Sequence, residues 1–265
     1  MREANAKYPG NFKLMSMLNF AIGWTKNSSS EEDRKKANEE IVELSEKILA
    51  ECTDNSIRLG TIQGLCFSLS ELGQKDKAIE IVNKELPGFY LTTNIMLSHL
   101  LEGDELIKHN QVNLTLFLGN TIDTMCKLAR DFEPDAKLAV YENALKMYEF
   151  IYTDGDYHFN HWEIESICMD IVKICLKNKD DDKALRYIDK AKYHAIAIDS
   201  LPINTMHTSP LIYKLEYTGI WKDYTGNYCW HLSKRLKDES YDAIRNDERF
   251  KAVISELEKH ARDDI

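Results

Sequence analysis

The stretch from Ile62 to Lys84 constrains the fold of this chain more than any other part of the sequence. Apolar residues recur at helical spacing on both sides of Gly73, and glycine commonly ends helices. The small residues Cys66 and Ala78 fall where two antiparallel helices must approach closely. The pattern therefore predicts a helical hairpin, and a single hairpin needs neighbours on both sides to bury its apolar face. The residues that mark the inner face of its second helix are Ala78, Ile79 and Val82.

Composition predicts a mostly helical chain. Only 5 of the 265 residues are proline and 11 are glycine, while hydrophobic residues make up 43%, enough for a real core. No strand-like alternation of useful length occurs, so the sequence predicts an all-α fold. No linker rich in proline, glycine and serine interrupts the chain, so we expect a single domain over residues 1–265.

Apolar periodicity also predicts helices outside the hairpin. Ser30 is an expected helix cap, and Asn246 is the expected cap of the last helix. Pro134 suits a first helical turn, and the run from Asp180 to Asp182 supplies a negatively charged helix start that matches the helix dipole. The predicted helices cover 11–24, 92–108 with Gly103 weakening its centre, 112–130, 138–152, 161–177, 211–217 and 224–236.

A second hairpin pattern runs from Cys168 to Ala191. Its Ala184 lies 106 residues after Ala78, about three times the 34-residue period of tetratricopeptide repeats. The spacing resembles that family, and residues 11–51 look like another copy. The segment from Ala4 to Pro9 resembles the end of a preceding repeat, so we expect residues 1–10 to be the remainder of a truncated repeat. The resemblance implies a superhelix of helical hairpins with C-terminal capping helices.

Nearly the whole chain is similar to the C-terminal region of bacterial Xre-type transcription regulators, in which a helix-turn-helix module precedes a tetratricopeptide-like region. The stretches that carry this similarity are YPGNFKLM, EKILAECTDNSIR, IQGLCFSLSELGQKDKAIEIVNK, HLLEGDELIKHNQ, FIYTDGDYHF, KAKYHAIAIDSLP with TSPL, and RNDERFKAVISELEKHA. The resemblance implies a non-catalytic domain that senses a ligand or binds a protein and that can form a homodimer. DNA would be bound only through an upstream module outside these residues. The alternative is a stand-alone interaction scaffold.

The resemblance also implies where a ligand would bind, because first helices of tetratricopeptide repeats face the concave side. Aromatic and amide side chains in such a groove suit a peptide or protein ligand. The other interpretation of the same residues is an ordinary hydrated surface. The implied positions are Phe20, Trp24, Gln63, Phe67, Ser70, Asn113, Asn120, Asp123, Met169, Lys173 and Lys177.

Charge and motif content exclude several function classes. The net charge of −10 disfavours nucleic-acid binding by this chain itself. No apolar run has the length of a membrane span, and the N-terminal residues lack a secretion-signal pattern. The six cysteines form no C-x-x-C pair, so we expect reduced, buried thiols in a cytoplasmic protein. No nucleotide-binding motif occurs, and we expect no cofactor and no catalytic site.

One cluster of polar residues can in principle hold a divalent metal, because carboxylates and imidazoles occur at short spacing. The spacing matches no named ligand signature, so we instead expect a turn that feeds an acidic helix start, with the histidines packing or capping. An enzyme would become the favoured alternative only if a metal bound there. The residues of the cluster are Asp154, Asp156, His158, His161, Glu163 and Glu165.

Overall fold

The computed structural model describes residues 1–26, 30–89, 92–217 and 226–263. These residues form twelve α-helices and one pair of two-residue strands, so the fold is all-α as predicted. The chain divides into two compact units, unit 1 from Met1 to Thr92 and unit 2 from Thr93 to Ile265. Whether the two units together act as the single domain predicted over residues 1–265 stays a prediction. Within the described ranges, no helix combines the length and apolarity needed to cross a bilayer.

Unit 1 contains five helices, and each packs against the next one in the sequence. The second and fourth helices also contact each other directly. Ser30 caps the third helix as predicted, because its hydroxyl accepts a hydrogen bond from the Asp33 backbone N–H. The helices are α1 (Arg2–Lys7), α2 (Phe12–Thr25), α3 (Glu31–Glu51), α4 (Asn55–Glu71) and α5 (Lys75–Glu85).

Helices α4 and α5 form the hairpin that the sequence predicts. Gly73 has a φ of 77°, the left-handed conformation that reverses the chain after α4. The two helices approach closely at the small residues, where the Cys66 thiol lies 3.7 Å from the Ala78 carbonyl oxygen. The prediction for the inner face of α5 is only partly right. Ala78 is buried, but Ile79 and Val82 are exposed because α5 packs mainly on α4.

Unit 2 holds the largest apolar core of the described chain, built mainly by helices α7 to α12. A minimal antiparallel strand pair joins the chain between α10 and α11, with Thr205 opposite Tyr217. The helices are α6 (Thr93–Ser98), α7 (Gly103–Leu128), α8 (Pro134–Ile151), α9 (His161–Lys177), α10 (Asp181–Ser200), α11 (Tyr228–Arg235) and α12 (Glu248–His260), and the strands are β1 (Thr205–Met206) and β2 (Glu216–Tyr217).

The α9–α10 hairpin repeats the turn of the α4–α5 hairpin. Lys179 occupies the position of Gly73 and also has a positive φ, of 59°. The residue immediately before each second helix makes the same backbone hydrogen bond. The Asp180 N–H donates to the Cys175 carbonyl at 2.9 Å, and the Gln74 N–H donates to the Leu69 carbonyl at 2.8 Å. The inner residues of α9 that the repeat pattern aligns with α4 are buried, namely Cys168, Ile171, Val172 and Cys175.

Four helix predictions in unit 2 differ from the structure. Residues 92–108 are not one helix, because Gly103 adopts a φ of 56° and begins the long helix α7. Residues 211–217 form turns followed by β2, so no helix spans them. The cap of α12 is Asp247 instead of Asn246. The predicted helix over 224–236 begins at Tyr228, and Tyr224 lies outside the described residues.

Candidate functional site

A cavity of about 540 Å³ opens on the surface of unit 1 between α2 and α4, with α3 contributing to its base. Its volume falls within the range of about 300–1,000 Å³ that is typical of ligand sites. We call this cavity the α2–α4 groove. The residues that line it are Ser16, Asn19, Phe20, Gly23, Trp24, Lys26, Ile41, Gly60, Thr61, Gln63, Gly64, Phe67, Ser68 and Glu71.

Three exposed aromatic side chains stand on the two walls of the groove. Phe20 and Trp24 lie one turn apart on α2, with ring centroids 5.7 Å from each other. Phe67 stands on α4, one turn after Gln63. The exposed fractions are 68% for Phe20, 61% for Trp24 and 60% for Phe67. Large apolar rings are rarely left this exposed as a group, and such clusters commonly mark binding surfaces.

Glycines make room between these aromatic side chains. Gly23 lies on α2, and Gly60 and Gly64 lie one turn apart on α4. A Cβ atom placed at any of the three would meet nothing within 4 Å, so each glycine borders open space. Glycine in a helix interior costs about 1 kcal/mol relative to alanine. The groove is therefore widened at the expense of helix stability.

An electrically balanced network lies at one end of the groove. The Lys26 ammonium donates to Asn38 Oδ1 at 2.7 Å and to Glu71 Oε1 at 2.9 Å. The Asn38 amide in turn donates to Glu71 Oε2 at 2.8 Å. Hydrogen bonds from Lys26 and Asn38 hold the pKa of the Glu71 carboxyl below its usual value. Because the cation and the anion neutralise each other, the network offers hydrogen bonds without a strong net charge.

The base of the groove carries polar atoms with unused capacity for hydrogen bonding. The Asn19 amide donates to the Ser45 hydroxyl at 2.6 Å, which leaves Asn19 Oδ1 buried without a partner among the described residues. Ser68 Oγ is likewise buried without a hydrogen-bond partner among the described residues. Buried polar atoms are normally paired, so two unpaired ones beside one groove mark its base as a place where a hydrogen-bonding ligand fits.

Four of the five site residues that the resemblance implies in unit 1 line this groove. They are Phe20, Trp24, Gln63 and Phe67. Ser70 is exposed on α4 but is not among the lining residues.

The predicted site residues of unit 2 do not form a comparable set. Met169 is fully buried in the core, so the prediction that it faces a groove is wrong. Asn113 is also buried, and its amide holds α6 against α7 by donating to the Asn94 carbonyl at 3.0 Å. Asn120, Asp123, Lys173 and Lys177 are exposed, with Asp123 paired to Lys127 and Lys173 paired to Asp170.

The predicted polar cluster at 154–165 separates into distinct contacts. Asp156 and His158 lie together with His207. His161 instead pairs with His194, through Nδ1 atoms 2.7 Å apart. Two of the remaining carboxylates face other partners: Glu163 accepts a hydrogen bond from the Tyr148 hydroxyl, and Glu165 lies 3.6 Å from the Arg235 guanidinium. The Asp154 backbone N–H donates to the Ser209 hydroxyl.

Sequence reasoning missed several groove residues and His207. The two glycines Gly60 and Gly64 were detectable, because glycines one helical turn apart leave a bare strip along a helix. His207 carried no such signal, since it lies 51 residues after Asp156 in the sequence.

Comparison with known proteins gives no relative to set beside this geometry. No protein-family model matches the chain, and no curated protein or solved structure matches it.

Proposed function

We propose that the α2–α4 groove binds a peptide segment and that the chain is the ligand-sensing part of a bacterial transcription regulator. The observation that carries the proposal is one cavity with exposed aromatic walls, glycine gaps and a polar base. Aromatic rings provide large contact area for apolar side chains at little cost in conformational entropy. The Gln63 amide has both a donor and an acceptor, which a peptide backbone requires.

The chemistry of the groove favours a short, apolar, uncharged segment. The paired Lys26 and Glu71 leave little net charge at the end of the groove, so a strongly charged ligand gains little there. Apolar or aromatic ligand side chains would lie between Phe20 or Trp24 and Phe67. The bare backbone at Gly60 and Gly64 would admit close approach of a ligand main chain.

The regulatory role rests on the similarity to Xre-type regulators and on a tetratricopeptide-like arrangement of hairpins. The shared turn of the α4–α5 and α9–α10 hairpins supports that arrangement. In this proposal, a bound peptide favours one curvature of the helical array or one homodimer geometry, and an upstream DNA-binding module responds by a shift in population. The second candidate function is a stand-alone interaction scaffold, which the same groove would serve.

Peptide selection followed by calorimetry tests the groove. We expect a displayed random-peptide library to yield apolar sequences, and synthetic copies to bind the full chain with one site. Trp24→Ala and Phe67→Ala should each weaken binding by about tenfold or more, because aromatic anchors dominate such interfaces. Phe150→Ala is the matched control, since Phe150 is 74% exposed on α8 and lies in unit 2. Peptides that bind the Trp24→Ala/Phe67→Ala variant as tightly as the native chain would overturn the groove assignment.

A second variant tests the cavity without removing any aromatic contact. Gly64→Leu places an apolar side chain into the open space, and a helical leucine is more favourable than a helical glycine. We expect the variant to stay folded and to lose peptide binding.

The reading frame upstream of Met1 separates the two functions: a helix-turn-helix there supports regulation, and a stop codon immediately before Met1 supports the scaffold.

A further inference from the structure

Asp156, His158 and His207 bring one carboxylate and two imidazoles together in unit 2. Asp156 and His158 come from the turn between α8 and α9, and His207 directly follows β1. One ligand atom of each lies within 4.8 Å of those of the other two. His207 Nδ1 is 3.1 Å from Asp156 Oδ2, and the two imidazole ring centroids are 3.8 Å apart.

A structural role explains Asp156 and His207 but leaves His158 unexplained. An Asp–His hydrogen bond can simply tie the turn to the β1 segment. His158, however, is 5% exposed, and its Nδ1 is buried with no hydrogen-bond partner among the described residues. Buried polar atoms are normally paired, so the unpaired Nδ1 of His158 indicates a position where a ligand fits.

The carboxylate in this cluster is fixed by its surroundings. The Thr208 and Ser209 backbone N–H groups donate to Asp156 Oδ2 at 2.7 and 3.0 Å, and the Ser209 hydroxyl donates to Oδ1. Burial alone would raise the pKa of Asp156, but these hydrogen bonds hold it below its usual value. Outer hydrogen bonds of this kind orient metal-binding carboxylates.

We propose that Asp156, His158 and His207 bind a divalent transition-metal ion of the zinc type. Two imidazoles with one carboxylate suit zinc, nickel or cobalt, whereas magnesium and calcium prefer oxygen ligands only. Binding turns the two rings out of their stack so that one nitrogen of each points at the ion, which gives the unpaired Nδ1 of His158 a partner. Three protein ligands leave a fourth position for water or another donor.

Metal titration of the full, untagged chain tests the proposal after treatment with a chelator. We expect calorimetry to show one Zn²⁺ per chain and no comparable binding of Mg²⁺. Co²⁺ should give the visible absorption of a tetrahedral site with nitrogen and oxygen ligands. His158→Gln and His207→Gln should each weaken Zn²⁺ binding by about tenfold or more. His231→Gln, which changes an exposed histidine of α11, should bind as the native chain does.

Two results would overturn the proposal. One is a native chain that takes up no stoichiometric Zn²⁺ or Co²⁺, a result that does not depend on whether any variant folds. The other is a Co²⁺ spectrum with thiolate charge-transfer bands that persist in His158→Gln, which would assign the bound metal to cysteines. Circular dichroism of both variants without metal identifies any loss of affinity that comes from unfolding. The peptide experiment in unit 1 is unaffected by either result.

Discussion

His161 and His194 form a buried imidazole pair between α9 and α10. Their Nδ1 atoms are 2.7 Å apart, so one ring must donate and the other accept. Tyr157 and Tyr193 pack their rings against the pair. His158 acts electrostatically on His161, and Lys190 acts on His194, and both lower the pKa of the ring that they act on. Burial lowers the pKa of His161 to about 4 and that of His194 to about 3. Both rings are therefore neutral in the folded chain at neutral pH.

This pair should make the folded chain less stable in mild acid. The unfolded chain binds a proton at each histidine below about pH 6.5, while the folded chain resists protonation until about pH 4. Stability from the pair is thus present above pH 6.5 and is lost as the pH falls towards 4. By linkage, these pKa values correspond to a loss of about 3 kcal/mol per histidine as the pH falls from 7 to 4. We expect His161→Gln/His194→Gln to remove this part of the pH dependence of the free energy of unfolding, as measured by urea unfolding curves.

Glu165 acts in the opposite direction over part of the same range and has to be separated from the histidines. Burial raises the pKa of Glu165 to about 7 despite Arg235, so the folded chain gains stability from its protonation as the pH falls from 7 to about 4.5. Comparing the slope of the variant with that of the native chain cancels this contribution, because Glu165 is present in both. Parallel slopes for the two proteins would contradict the assignment to the histidine pair.

For single residues, the least predictable property was whether a helical side chain is exposed or buried. Phe67 and Met169 were both assigned to a groove from their repeat positions, yet Phe67 is exposed and Met169 is buried. Helix α4 leaves that side of its surface open, whereas α9 packs within the largest apolar cluster and buries residues on most of its circumference. The position in the repeat predicts the helix and the apolar stripe on its inner face. Whether the opposite face is buried depends on how many other elements pack against the helix.

The C-terminal helix is tied to the start of α11 by one side chain. The Asn227 amide donates to the His260 carbonyl at 2.8 Å, and its oxygen accepts from the Arg262 and Trp230 backbone N–H groups at 2.9 and 3.1 Å. The Asn227 backbone N–H also donates to the Arg262 carbonyl at 2.9 Å. One residue therefore caps α11 and satisfies the end of α12 at the same time.

Removing this side chain should loosen the end of α12. We expect Asn227→Ala to destabilise unit 2 by about 2 kcal/mol, because it removes a helix cap and leaves partly buried backbone groups unpaired. Hydrogen exchange should accelerate first at Arg262 and in the last turn of α12. Asn246→Ala is the control, because Asn246 is exposed and Asp247 supplies the cap of α12. Unchanged exchange at Arg262 in Asn227→Ala would show that the tie is not needed.

Element boundaries were predictable where local chemistry decided them. Ser30, Pro134 and Asp180 act at helix starts as their residue types predict. The helix predicted over 211–217 is absent because the segment makes long-range contacts: Glu216 and Tyr217 pair with β1, and the preceding Ser209 donates hydrogen bonds to Asp156. Such contacts between distant residues leave no local periodic signal.

Each of the two units contains cysteines whose reaction with a labelling reagent can report the opening of that unit. Cys52 and Cys66 lie in unit 1, and the other four lie in unit 2. Cys52, Cys168, Cys175 and Cys229 are buried, whereas Cys66 and Cys126 are partly exposed. Burial raises the pKa of Cys168 to about 12, compared with 9.0 for a free thiol. This leaves on the order of 1,000-fold less thiolate at neutral pH.

Thiol labelling should therefore follow burial in the native chain. We expect a maleimide at neutral pH to modify Cys66 and Cys126 first and to leave Cys168 unmodified over the same time. In urea, Cys52 reports the opening of unit 1 and Cys168 reports the opening of unit 2, as read by mass spectrometry of peptides. The unfolded chain, in which all six thiols should react at similar rates, is the control. Native labelling of Cys168 as fast as Cys126 would contradict the packing of α9.

The helical class of the molecule followed from its composition, while the location of the candidate site followed only in part. Phe20, Trp24, Gln63 and Phe67 were implied by the repeat resemblance and do line one cavity. The Lys26–Asn38–Glu71 network and the contact between His207 and Asp156 each join residues from separate elements. The periodicity of a single sequence contains no information on contacts between residues that are distant in the chain.

The glycine gaps of the α2–α4 groove have an evolutionary consequence. At Gly23, Gly60 and Gly64, alanine would clash with nothing and would stabilise its helix by about 1 kcal/mol. Random mutation and selection for stability alone would therefore fill the groove. If the groove binds a ligand, homologues that keep the ligand should retain small residues at these positions, and homologues with a different ligand should differ there first. Lineages that have lost the ligand should accumulate alanine or larger residues at all three.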